Sequence, residues 1–140
     1  MFQARAFCIV VVCALVSGAI SQDAGFSDLL LFTQSPTEHE IIPVDQPFSV
    51  RSVQGTVFFA NQPGEPLTDV LVEILGPREV KTIRHATTGE KGRFKIGEVP
   101  EGVYRFKTTR NGFSSVVGTI VVSRKAKRSA RITLNVPLGI

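Results

Sequence analysis

Between Val50 and Val136 the chain alternates apolar and polar residues in short runs, each cut off by a turn signal. That pattern constrains the fold more than any other feature. Alternation at period 2 puts every second side chain on one face of a half-buried strand, whereas a helix needs a period of 3.6. Seven runs follow it: VRSVQGTVFF (50–59), DVLVEILG (69–76), VKTIRHATT (80–88), GRFKIGEV (92–99), VYRFKTTR (103–110), SSVVGTIVVS (114–123) and ARITLNV (130–136). In 69–76, Val70, Val72 and Ile74 oppose Leu71, Glu73 and Leu75. In 103–110, Tyr104, Phe106 and Thr108 oppose Arg105, Lys107 and Thr109. GEKG (89–92) between the third and fourth runs predicts a hairpin, and SRKAKRSAR (123–131) a second, basic one. Short strands at this spacing predict an all-β fold, a seven-stranded antiparallel β-sandwich rather than βαβ units.

Residues 22–50 obey a different rule. They contain Asp23, Asp28, Glu38, Glu40 and Asp45 and no lysine or arginine, a formal −5. Residues 51–140 carry 15 basic and 7 acidic side chains, a formal +8. Two such parts attract each other, or the basic part attracts an acidic partner. QSPTEHEIIPVDQPF (34–48) holds three prolines, which oppose both regular helix and central strand. The stretch reads as an extended N-terminal arm packed along the domain through Ile41, Ile42, Val44 and Phe48. Within it, SDLLLF (27–32) suits a helical turn or an added strand.

Residues 1–21 read as a signal peptide. Arg5 supplies the positive end, AFCIVVVCALVS (6–17) the apolar stretch, and Ala19 and Ser21 the small residues before cleavage. The apolar run is short for a membrane span of about 20 residues, so no span is expected after cleavage; an anchor retained at the same place is the alternative. Neither Cys8 nor Cys13 follows a small residue, which opposes lipid attachment. Both cysteines lie in the removable segment, so the mature chain would have no disulfide, zinc–thiolate site or cysteine nucleophile. The expected location is secreted or periplasmic. Residues 51–140 are then one sandwich domain behind the arm of 22–50.

The turns and core positions of that domain resemble the carboxypeptidase regulatory-like domain family. Val53-Gln54-Gly55-Thr56-Val57 matches its opening V-x-G-x-V strand, and Pro66-Leu67 followed by Val70 and Val72 matches the next element. Thr88, Gly92 and Phe94 match T-D-x-x-G-x-F; Val99-Pro100, Gly102 and Tyr104 match the l-P-x-G-x-Y segment; Asn111-Gly112-Phe113 matches the last turn. The resemblance covers roughly 53–136 and implies a transthyretin-like (prealbumin-like) sandwich. It also implies a non-catalytic accessory role on secreted or envelope proteins, with carbohydrate recognition in related starch-binding-like sandwiches. One position departs: after Thr88 the family carries an acid or amide, and this chain has Gly89. The turn there would rest on backbone freedom alone.

Candidate chemistry is sparse. GEKG lacks the strand–helix context of a phosphate loop and the helical flanks of a nucleic-acid clamp, so no nucleic-acid partner is expected. His39 and His85 are the two histidines and are not at ligand spacing, so no catalytic residue, metal or other cofactor is assigned. With no Trp and one Tyr, an aromatic sugar platform is disfavoured, although Phe58, Phe59 and Phe113 were available for one. What remains is a basic patch of Arg124, Lys125, Lys127, Arg128 and Arg131. It suits an acidic protein or polysaccharide partner in the cell envelope, or simply keeps an edge from aggregating. The expected function is a non-catalytic module for protein interaction or structural support, with polysaccharide binding as the alternative. A third reading is donor-strand assembly through SDLLLF.

Overall fold

The alternating runs become strands whose apolar positions turn to one shared interior. In the computed structural model, residues 29–35, 40–76 and 82–139 are described. The strands are β1 (Ile41–Pro43), β2 (Phe48–Val50), β3 (Val53–Phe59), β4 (Leu71–Leu75), β5 (Ile83–Thr87), β6 (Arg93–Ile96), β7 (Gly102–Thr109), β8 (Ser115–Val122) and β9 (Ile132–Val136). The larger sheet has the order β1-β8-β7-β4-β5, with β2 also on β8, and the smaller has β6-β3-β9. Val53 and Val57 of β3, Val72 and Ile74 of β4, and Ile132 and Leu134 of β9 meet between them in one buried cluster. Burying each such side chain stabilises by about 1.5–3 kcal/mol, and this layer holds the sheets face to face. The predicted signal peptide (1–21) and His39 lie outside the described residues.

All seven predicted runs are strands, and the arm adds two more. β1 and β2 lie parallel to β8, Ile41 opposite Ser115 and Phe48 opposite Ile120. The gap between them is bridged by the Val44 amide, which donates to the Val117 carbonyl at 2.8 Å. Thus prolines 43 and 47 do not prevent pairing: they occupy an edge, where a missing N–H is tolerated. Ile42, Val44 and Phe48 pack against the core as expected, whereas Ile41 is exposed. β9 also runs parallel to its partner, Ile132 opposite Gly55. The sandwich is therefore mixed rather than wholly antiparallel, because strands distant in sequence can pair in either direction.

Both predicted hairpins are in fact connections between sheets. β5 is an edge of the larger sheet and β6 an edge of the smaller one. The corner between them is fastened to the β3–β4 connection instead. The buried Thr88 hydroxyl donates to the Leu67 carbonyl (2.8 Å) and accepts from the Val70 amide (2.9 Å). The Thr88 amide also donates to the Val70 carbonyl (2.9 Å), and the Asp69 amide to the Thr88 carbonyl (3.0 Å). Strand alternation cannot distinguish a hairpin from such an arch. The basic segment 123–131 likewise carries the chain from β8 to β9, across the sandwich.

Gly89 does not bear the conformational demand of this corner. It is extended (φ −95°, ψ −156°), and a Cβ there would meet nothing within 4 Å. The left-handed residues are Lys91 (φ 63°) and Gly92 (φ 68°). A Cβ on Gly92 would stand 2.5 Å from the Val57 carbonyl oxygen, so both handedness and space exclude a side chain. Twelve residues on, Tyr104 is buried as the resemblance implies, and its hydroxyl donates to the Pro100 carbonyl at 2.7 Å. That bond satisfies a buried polar group and ties the second turn to the core.

Candidate functional site

The described start of the arm is not an added strand. Leu29–Phe32 makes a helical turn, closed by the Phe32 amide donating to the Leu29 carbonyl (3.3 Å). Gln34 Nε2 braces it by donating to the carbonyls of Leu29 and Phe32, each at 3.0 Å. The turn sits on the outer face of the larger sheet. Phe32 is buried there (3% exposed), beside Glu73 (5%) and Lys107 (0%). These two residues stand opposite one another on β4 and β7. They grip a single residue of the arm: the Thr33 amide donates to Glu73 Oε1 (2.9 Å), and Lys107 Nζ donates to the Thr33 carbonyl (2.9 Å). Thr109 Oγ1 adds a longer bond to the same carbonyl (3.4 Å).

A carboxylate and an ammonium are thus buried on neighbouring strands, each matched to the main-chain group of Thr33 that it can bond. The arm does not dock through its described acids, since Glu40 and Asp45 are exposed. Periodicity sets Glu73 and Lys107 on the face opposite Val72, Ile74 and Phe106, and it does not show that the arm buries them there. A signal was present: Leu71 and Leu75 flank Glu73 on the same side, an apolar surround unusual for an open face.

The five basic residues singled out from the sequence are all exposed. The loop that bears them is held by main-chain ties. The Ser123 amide donates to the Val50 carbonyl (2.9 Å), the Arg124 amide to Glu101 Oε1 (2.7 Å), and Arg51 Nε to the Ala126 carbonyl (2.6 Å). Arg124, Lys125, Lys127 and Arg128 stay on this loop. Arg131 separates from them: its Nη1 donates to the carbonyls of Arg128 (3.0 Å) and Ala130 (3.1 Å), which steadies the guanidinium at the mouth of β9.

Arg131 meets other cations there. Ile132 is opposite Gly55, so Arg131 stands level with Gln54, and Gln54 is opposite Lys95. The next outward row is Thr133, Thr56 and Arg93. A groove of about 560 Å³ runs over this face, lined by Gln54, Thr56, Arg93, Lys95 and Arg131, with Ala86 and Thr87 from β5 as its far wall. Sequence reading did not assemble Arg93 and Lys95 with Arg131, because two strands from distant segments bring them together. The outward alternation of RFKI was the available sign.

The aromatic residues do not form a sugar platform. Phe59 and Phe113 pack edge to face at 5.7 Å, and the Arg110 guanidinium lies 4.7 Å over the Phe113 ring. Phe58 is half-buried. Among the described residues there is no group of three or more His, Cys, Asp or Glu placed to hold a metal ion. None of their helices is long and apolar enough to cross a membrane.

Comparison with known proteins gives a family match: the model of the carboxypeptidase regulatory-like domain matches residues 52–135. No curated protein matches. Among solved structures, the chain is similar to chlorocatechol 1,2-dioxygenase from Pseudomonas putida at 12% identity and a TM-score of 0.44, over 77% of this chain and 70% of that one. A likeness that distant carries nothing about chemistry.

Proposed function

This chain belongs to the carboxypeptidase regulatory-like domain family, and on that premise we propose that it is an exported, non-catalytic β-sandwich module for protein interaction or structural support. Within the family the sandwich is of the transthyretin-like kind; the seven predicted runs, each recovered in order as a strand, support that assignment. The observation that carries the functional reading is the asymmetry of the two outer faces. The larger sheet is covered around Glu73 and Lys107 by the chain's own arm, while the smaller sheet and the adjoining loop hold out Arg93, Lys95, Arg131 and the 124–128 cations. A formal +8 over residues 51–140 draws an acidic envelope partner to that side.

The test is reciprocal capture from envelope fractions, followed by identification of the bound protein. Retention of one acidic partner that is lost when Arg124, Lys125, Lys127 and Arg128 become alanine supports the reading. Turnover of a substrate by the purified chain, with no partner retained, overturns it. Export itself is checked by fusing residues 1–50 to a reporter active only outside the cytoplasm. A second reading, polysaccharide binding, is favoured by one specific feature, the polar groove on the smaller sheet.

A further inference from the structure

We infer that the groove over Gln54, Thr56, Arg93, Lys95 and Arg131 is a binding site for an acidic sugar, a uronate or sulfated hexose within an anionic polysaccharide. The inference rests on the polysaccharide reading and gives it a location and a ligand class. Three cations stand at the corners of a two-by-three grid of outward positions. Arg131 and Lys95 are two strands apart, about 10 Å, and Lys95 and Arg93 are two residues apart on one strand, about 7 Å. Between them lie an amide, Gln54, and a hydroxyl, Thr56. A charged acid group would meet a guanidinium or ammonium at a corner, while ring hydroxyls would meet the amide and hydroxyl at the centre.

Two observations favour a sugar over a protein. The site is an open groove of about 560 Å³, within the volume range of small-ligand sites (about 300–1,000 Å³). It also presents no exposed aromatic ring beside its arginines, whereas tight protein interfaces commonly combine the two. Two of its three cations are not engaged elsewhere: among the described residues, the side chains of Arg93 and Lys95 have no hydrogen-bond or carboxylate partner, while Arg131 Nη1 holds the Arg128 and Ala130 carbonyls. Gly55 contributes by what it lacks. A Cβ there would lie 2.0 Å from the Ile132 carbonyl oxygen, so glycine lets β3 and β9 pair at the level where the groove forms.

Isothermal titration with defined probes tests this on the full mature chain: a tetragalacturonate, a sulfated tetrasaccharide, neutral maltotetraose, inorganic sulfate and a poly-glutamate peptide. The acidic tetrasaccharides are expected to bind, more weakly as salt is raised from about 0.05 to 0.3 M as screening shortens, and the other three to show no saturable binding. Arg93→Ala, Lys95→Ala and Arg131→Ala should each weaken binding about tenfold, the effect of losing one charge-assisted hydrogen bond. The fourfold alanine variant at Arg124, Lys125, Lys127 and Arg128 should stay within about threefold of the parent. Unchanged urea midpoints confirm that the single variants are folded. Equal binding of poly-glutamate, or equal loss in the loop variant, overturns the site in favour of a general polyanion surface. No binding of either acidic tetrasaccharide overturns it outright and leaves the protein-interaction reading standing, since that reading is tested by partner capture through the loop.

Discussion

Lys107 and Lys95 occupy equivalent places, each pointing outward from a strand of one sheet, and they have opposite fates. Lys107 is fully buried beneath the arm, with its ammonium on the Thr33 carbonyl. Lys95 is exposed at the edge of the groove. The surroundings of the two differ in the same way: around Lys107 the arm makes an interface with its own sheet, and around Lys95 the face is open to solvent. An outward charge stands in solvent on the second face and is a structural tie on the first. Local sequence does not tell the two apart. The presence of a covering segment does.

The sharpest way to break this comparison is to remove each lysine. Lys107→Ala takes the buried ammonium donor from the Thr33 carbonyl and should cost about 3 kcal/mol, read as a lowered urea midpoint. Lys95→Ala should stay within about 0.5 kcal/mol of the parent, as exposed substitutions do. Similar losses from both would refute the distinction.

Phe32→Ala comes next, at about 3 kcal/mol, because it empties the apolar seat that holds the turn on the sheet. Its signature is local. Hydrogen exchange at the Thr33 amide should accelerate well beyond that at Val72 and Tyr104, since the arm can lift without opening the sandwich. Uniform acceleration would mean that arm and sandwich unfold as one unit.

On the open face, Gly55→Ala should cost about 2 kcal/mol or more, because the new methyl meets main chain that cannot yield like a side chain. Thermal melting of this variant, with amide shifts along β3 and β9, locates the damage in the smaller sheet. The smallest effect belongs to Gly89→Ala. With an extended backbone and open space at that position, the substitution should be neutral or stabilise by up to about 0.5 kcal/mol through the unfolded chain. A large loss would return the burden of the corner from Gly92 to Gly89.

Much of the fold is legible in the sequence. Period set Val70, Val72 and Ile74 on one face of their run and Tyr104 and Phe106 on one face of theirs, and all are buried. The arm's apolar contacts at Ile42, Val44 and Phe48 were also readable, because prolines rule out helix without ruling out an edge strand. The candidate site was only half legible. The run 124–131 announced itself by composition, but the groove takes only Arg131 from it, and Arg93 and Lys95 come from a strand pairing that composition does not encode.

The sequence by itself determined that this chain would be an all-β sandwich, which positions face inward, and where it turns. Those properties follow from side-chain alternation and from residues such as Gly92 and Pro100, which act within a few positions of themselves. Only the tertiary structure decided which sheet each strand joined, which way β9 ran, and which outward face would be covered. Those outcomes depend on bonds between residues far apart in sequence, such as Thr88 to Leu67 and Thr33 to Glu73 and Lys107. No local pattern records them.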